Sequence, residues 1–342
     1  MSGRTPVLGE LIREVGCTAI VICEVPRGNV SLGVGVEEFV ADGVILLGIQ
    51  ELDGRPLREI EILKMRGSKL TKTKCVFSLG GGIEVFEPLK MDKSRSRTPV
   101  TGIKDSPGRY STGLAELDEI LSGGYPKGDL VLLEVDENVS APEYSMFTLP
   151  CIGNFLRHGK AVIDVPSVGV GMTLSASLMQ QGDLTSEQLD KLLTMCIPKE
   201  HLGVLDQNSQ VWTFDGGDIA GSLANFTGMI KKLTEEFQQT SLYVEGIDTL
   251  FSSFGPDNVV KILNATITAS RRHGNLDLMV LRPGIPSPSL YEMLRSVADI
   301  HLKVIKKQDT LLFYGLKPWT GIYAVQTDKA RGYPWPRLVP LV

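Results

Sequence analysis

Residues 124–148 read "GYPKGDLVLLEVDENVSAPEYSMFT", and the fold is decided by how this stretch is built. "DLVLLEV" is a short apolar run opened by Gly128, the pattern of a buried strand, and "YSMFTLPCIGNFLRHGK" after it has the length and composition of a helix. A strand that feeds a helix in this way often carries the phosphate-binding loop G-x-x-x-x-G-K-[ST] at the join. Counted back from Ser145, this chain has Asn138, Val139, Ser140, Ala141, Pro142, Glu143 and Tyr144 instead. Asn138 and Glu143 stand at the two glycine places and Tyr144 at the lysine place. Only Ser145, at the hydroxyl place, is of the required type.

Outward from this point, strand-like runs alternate with helical stretches. "KAVIDVP", "QVWTF", "TSLYVEGID", "LDLMVLRPG" and "ADIHLKVI" are separated by segments such as "IAGSLANFTGMIKKLTEEFQQ" and "NVVKILNATITASRRHG". This order predicts an α/β domain, a mainly parallel sheet with helices on both faces, over residues 108–342. It ends in hairpin-like pieces. Residues 93–107 are polar, mostly basic and Pro-containing, the composition of a linker. Residues 1–92 differ, with one helix-then-strand unit, "LGELIREVGCTAIVICEVP", followed by the strand-like "DGVILLGIQEL", "LREIEILKMRG", "KCVFSLGG" and "GIEVFEP". One such unit cannot assemble a parallel sheet, so this mostly β part reads as the end of a domain without its beginning.

An internal repeat supports that reading. Pro26 corresponds to Pro283, Ala41 to Ala298 and Asp42 to Asp299, each at an offset of 257. Lys64 and Lys317 are 253 apart, which implies a small loop difference between the copies.

"GVEEFVADGVILL", "REIEILKMRGS" and "GIEVFEP" resemble the C-terminal part of a KaiC-type ATPase domain of the RecA superfamily. "YSTGLAELDEILSGGYPKGDLVLLE", residues 110–134, resembles the opening of the next such domain. The resemblance implies a RecA-like three-layer core that binds ATP between ring subunits. It implies a phosphate loop, a strand-end Asp and a catalytic Glu from one subunit, with basic residues from its neighbour on a K-x-R-G segment. Here the loop lacks its glycines and lysine, so successive N–H groups cannot turn inward toward phosphate, and Pro142 removes a donor. Glu134, Asp136, Glu137 and Glu143 lie in or beside the loop with no basic residue between 134 and 145. At an effective dielectric of about 20, two unit charges about 6 Å apart interact by roughly 3 kcal/mol, so the expectation is repulsion of a triphosphate. After the second strand Pro166 and Ser167 stand where the family has an acidic pair. Glu245, with Asp248 nearby, corresponds to the magnesium-binding strand-end Asp, although a carboxylate at a strand terminus or helix start is common without any metal. "KMRGS" keeps Lys64 and Arg66 for a trans-acting role, while "LKPWTG" keeps Lys317 and puts Trp319 at the Arg place. A trans-acting Arg66 is expected on an exposed turn, free of a carboxylate in its own chain.

The expected protein is thus a KaiC-like pseudo-ATPase with no catalytic residues, no metal and no bound ATP or magnesium, regulating or assembling through protein partners. Alternatives are a non-hydrolysing subunit that supplies Lys64 and Arg66 to an active KaiC-like ATPase, and a recombinase-like protein on DNA. The net charge of −5 argues against the last. The 342 residues are 42% apolar and 22% charged, as in soluble globular proteins. Five cysteines without a C-x-x-C pair suit a reducing compartment. The longest apolar runs are far too short to span a membrane, so a cytoplasmic protein is expected, possible as a homo-oligomer. His158, His201, His273 and His301 show no metal spacing.

Overall fold

The computed structural model describes residues 4–24, 40–91, 100–168, 170, 184–200, 210–215, 217–237, 241–284 and 287–342. Pro26, His201 and linker residues 93–99 lie outside them. The chain forms two compact units, Met1–Phe86 and Glu87–Val342.

The larger unit opens with "YSTGLAELD", whose polar residues are spent on architecture. The Asp118 carboxylate, on α2 (Ala115–Ile120), accepts bonds from Ser111 Oγ at 2.5 Å and from Thr112 N and Oγ1 at 2.7 Å. This ties the helix back onto the chain that precedes it. Gly113 has φ +78°, and a Cβ there would run into the carbonyl of Pro150, so only glycine fits. A two-stranded ribbon of β5 (Arg109–Tyr110) and β6 (Tyr125–Pro126) leads into the main sheet.

That sheet has ten strands in the order β10-β9-β8-β11-β12-β7-β13-β14-β15-β16. They are β7 (Leu130–Val135), β8 (Val162–Val165), β9 (Leu193–Pro198), β10 (Gln210–Phe214), β11 (Leu242–Gly246), β12 (Leu276–Leu281), β13 (Ile300–Lys307), β14 (Thr310–Lys317), β15 (Tyr323–Thr327) and β16 (Pro336–Pro340). The strands from β10 to β13 are mutually parallel, and the last three add antiparallel pairs. The predicted runs all form strands. "LTMCIP" (β9) escaped the sequence reading because it follows α4 (Ser186–Leu192) directly, with no turn residue to mark the change.

Side-chain alternation along the strands feeds two cores. Val131, Leu133, Val244 and Leu278 pack with Phe147 and Phe155 of α3 (Ala141–Arg157) on one face. Leu132, Ile163, Tyr243 and Met279 pack with residues of α5 (Ile219–Phe237) and α6 (Ile247–His273) on the other, joined by Leu290 and Leu294 of α7 (Pro288–Val297). The result is the three-layer α/β/α core expected of a RecA-like domain.

The smaller unit has α1 (Arg4–Val15) and a four-stranded antiparallel sheet, β1 (Gly43–Leu52), β2 (Arg55–Met65), β3 (Lys74–Ser78) and β4 (Glu84–Phe86). The expected strand within 17–24 does not form: these residues are exposed and pair with no strand among the described residues.

The repeat extends to a detail that the sequence could not reveal. In β1–β2, Val44 faces Lys64 and Ile45 faces Ile62, a one-residue bulge. In β13–β14, His301 faces Lys317 and Leu302 faces Gly315, the same bulge at the corresponding place. Both hairpins close with two residues at positive φ, Asp53-Gly54 and Gln308-Asp309. The fall in offset from 257 to 253 is therefore not a loop difference: each arm of the second hairpin is two residues shorter, around an unchanged two-residue turn.

Candidate functional site

The join between β7 and α3 is where a phosphate loop would lie, and several of its backbone donors are already used. Residues 136–139 make a tight turn in which Val139 N donates to Asp136 O at 3.1 Å, while Asp136 N donates to Val304 O on β13. The Val139 side chain is buried in the core under the turn, and Asn138 is exposed at its tip. Ser140 then caps α3. Its N–H donates to Glu143 Oε2 at 2.7 Å, and its hydroxyl donates to the same oxygen at 2.8 Å. Pro142 in the first turn has no N–H to satisfy, which suits that position. Negative charge at a helix N-terminus is favourable, and the Glu143 carboxylate supplies it from within the chain.

Glu143 is also neutralised. Lys306 Nζ lies 2.9 Å from both of its carboxylate oxygens. Glu134 accepts from His301 Nε2 at 2.8 Å and has Lys303 Nζ at 3.4 Å. Burial opposes charge on Glu134, but the His301 and Tyr291 hydrogen bonds and Lys303 outweigh it and hold the carboxyl down at about 2. The expectation of an uncompensated acidic loop is corrected for Glu134 and Glu143. The cations come from β13, more than 160 residues away in sequence, and the parallel β7–β13 pairing brings them in.

Tyr144 and Ser145 are both buried. Ser145 Oγ donates to Ala141 O at 2.7 Å, in its own helix. Tyr144 fills the position of the lysine, and burial pushes its phenol up to about 12. Over its ring, 5.8 Å from the centroid, lies the guanidinium of Arg282. Arg282 donates to Val168 O at 3.1 Å and lies 3.5 Å from Asp248 Oδ2. The space left among Tyr144, Ser145, Asp164, Ser167 and Tyr333 is about 40 Å³, room for a water or two and well below the roughly 300–1,000 Å³ of ligand pockets.

The two carboxylates assigned to the magnesium place part company. Asp248, at the start of α6, is on the Tyr144 side, held by Arg282 and by Val168 N at 3.1 Å. Glu245 points through the opposite face of β11, because strand side chains alternate and Val244 and Gly246 take the Tyr144 side. There it lies near Asp277 of β12, and burial, reinforced by the Asp277 charge, pushes the Glu245 carboxyl well up. Burial likewise raises Asp164, to about 7. No cluster of three or more metal-ligating side chains occurs among the described residues.

Sequence reasoning missed Arg282, Lys306 and the Glu134–His301–Lys303 network, none of which carries a local motif. Arg282, Glu134 and Lys303 also border a wider crevice of about 420 Å³ at the carboxyl ends of β7 and β12, beside the first turn of α7, where Glu134, Asp136 and Glu292 are opposed by Arg282 and Lys303.

In the smaller unit Lys64 is the last residue but one of β2, and Arg66 follows on the turn. Arg66 is exposed as expected but not free: its Nη1 lies 3.2 Å from Asp42 Oδ1, and its N–H donates to Asp42 O. The side chains are 53% and 81% exposed, so this is a surface pair of small energy. In the second copy Lys317 Nζ donates to Ala298 O at 2.6 Å, and Trp319 is exposed.

Residues 6–90 match the family described as "ATPase: KaiC", and the mainly parallel α/β sheet lies in the larger unit. Over residues 6–90 the chain is similar to KaiC-type ATPases. Residues 98–182 match a second family, "GvpD basic region 2". Among similar proteins, GvpD1 of Halobacterium salinarum is 25% identical over 89% of this chain and 66% of its own length. GvpD2 of the same organism is 23% identical over 99% of this chain and 68% of its own. The circadian clock oscillator protein KaiC of Thermostichus vulcanus is 35% identical over 35% of this chain and 22% of its own. The chain thus spans about two thirds of the length of the GvpD proteins and less of KaiC. Despite the name of the matching region, residues 98–182 here hold ten acidic residues against five Lys or Arg. Among the described residues no helix is long and apolar enough to cross a membrane.

Proposed function

We propose that this protein is a KaiC-type pseudo-ATPase that regulates or assembles other proteins rather than turning over nucleotide. One observation carries the reading. The N-terminus of α3, which in this fold would receive phosphate, is occupied by the chain's own Glu143 carboxylate, held by Ser140 and Lys306. A phosphate would have to displace that carboxylate, break its ion pair and open a 40 Å³ space. Ser145, the remaining magnesium-side group, is bonded within its own helix. Titration calorimetry with ATP and magnesium on the 342-residue chain is expected to give no heat of binding at micromolar concentrations, and micromolar affinity would overturn the reading.

A second reading, in which Lys64 and Arg66 serve the ATP site of an active relative, is favoured by the exposure of the Arg66–Asp42 pair. A phosphate could outcompete a carboxylate that is itself largely in water. Arg66→Ala should then lower the ATP turnover of a mixed assembly, by up to about 10³-fold if the residue acts as an arginine finger. Equal turnover would exclude it. A role on DNA has little support, given the acidic balance of residues 98–182.

A further inference from the structure

Glu245 of β11 and Asp277 of β12 are 2% and 1% exposed, and none of their four carboxylate oxygens has a hydrogen-bond partner among the described residues. Tyr243 pairs with Asp277 and Glu245 with Met279, so the two acids are diagonal neighbours on one face of the sheet, within reach of each other. α6 covers that face. Thr266 and Ser270, one turn apart on it, lie over the pair. Thr266 Oγ1 donates instead to Leu263 O at 3.1 Å, and Ser270 Oγ has no partner of its own. Cations are turned away: Arg271 of α6 has a 55% exposed side chain and meets Asp299, and Lys231 and Lys232 of α5 are exposed. The side chains that reach this core from β7, β8, α5 and α7, such as Leu132, Ile163, Met229 and Leu290, are apolar. Burial, then the charges of Asp164 and Glu245, push up the Cys196 thiol of β9, which therefore stays neutral. Asp164 itself is on the Tyr144 side of β8. Burial raises both carboxyls, and for Glu245 the Asp277 charge adds to it.

α6 is two helices in one. Gly255 interrupts it with φ 71° and ψ 169°, a conformation that is essentially glycine's alone. Nothing lies within 4 Å of where its Cβ would be, and Pro256 opens the second part, a place that suits proline. Residues 256–273 carry both hydroxyls over the acids, and Val259, Ile262, Leu263 and Ile267 pack this part into the core.

We infer that Glu245 and Asp277 form a proton-held latch, in which retained protons keep residues 256–273 on the sheet and their loss as pH rises frees that segment to swing about Gly255. Two neighbouring carboxylates in a dry interior do not both ionise. A protonated carboxyl also donates where a carboxylate only accepts, and the Ser270 hydroxyl is the acceptor beside Asp277. Once both acids are ionised, each is a buried charge without a partner. Lifting one hinged helix admits water to them and leaves the ten-stranded sheet paired. In the open segment the acids titrate in the ordinary carboxylate range, so opening releases the protons that the closed form retained. For one retained proton the opening constant rises about tenfold per pH unit above about pH 5, and it levels off beyond the raised value. The latch is thus closed in acid and loosened in alkali, whether or not nucleotide binds.

Hydrogen–deuterium exchange of the 342-residue chain at pH 5.5, 6.5 and 7.5 tests it, read by mass spectrometry and corrected for the intrinsic pH dependence of amide exchange. Opening of 256–273 is expected to rise about tenfold per pH unit while β7 and β13 stay protected. In the Glu245→Gln/Asp277→Asn chain, whose side chains fill nearly the same space without ionising, opening should not change with pH. Opening that is flat with pH in the natural chain would overturn the inference, and that result needs no variant to fold. An equal rise in the double variant would overturn it as well. So would exchange in 256–273 no faster than in β7 and β13, since the whole domain rather than the hinged segment would then be opening.

Discussion

Asp164→Asn should flatten the dependence of stability on pH. Asp164 is on β8, 4% exposed, and burial pushes its carboxyl to about 7 from an ordinary 3.8. Between those values the folded chain keeps a proton that the unfolded chain has released. The stabilisation is therefore fully present below about pH 4 and is lost as pH rises through 7. A gap of about three pH units corresponds to about 4 kcal/mol in all, of which about 3 kcal/mol falls between pH 5 and pH 8. Asparagine fills nearly the same space and cannot ionise. The stability of the variant relative to the natural chain should thus rise by about 3 kcal/mol from pH 5 to pH 8. Glu245 and Asp277, which burial also raises, titrate in both proteins and cancel in the difference. Urea unfolding at pH 5, 6, 7 and 8, read by far-UV circular dichroism, gives both curves. Curves parallel to within about 0.5 kcal/mol would show that Asp164 ionises as freely folded as unfolded, and the reasoning from burial would fail.

Two further outcomes follow from the same geometry. Lys306→Met should destabilise the larger unit by about 2 kcal/mol, because the buried Glu143 carboxylate keeps its Ser140 bonds but loses its cation; the shift in urea midpoint measures it, and adding Glu143→Gln should recover part of the loss. Gly113→Ala should cost about 2 kcal/mol or more, since the position combines positive φ with contact against the Pro150 carbonyl, and a melting temperature within a degree of the natural chain would contradict that.

The strand-and-helix order, the parallel core and the loss of the loop glycines and lysine were all legible in residues 110–342, because apolar periodicity and glycine placement are local signals. The repeat was legible as well, through Pro26, Ala41, Asp42 and Lys64. Three things depended on tertiary structure. Glu134 and Glu143 are not uncompensated, because β13 lies beside β7 and brings Lys303 and Lys306 to carboxylates that look unpaired along the chain. Glu245 and Asp248, three residues apart, serve opposite faces, since the strand side chain follows the pleat and the helix turns the next residues away. Residues 17–24 have the composition of a strand and are not one. Composition sets a preference for extended backbone, but only a neighbouring strand can supply the hydrogen bonds that make it a strand.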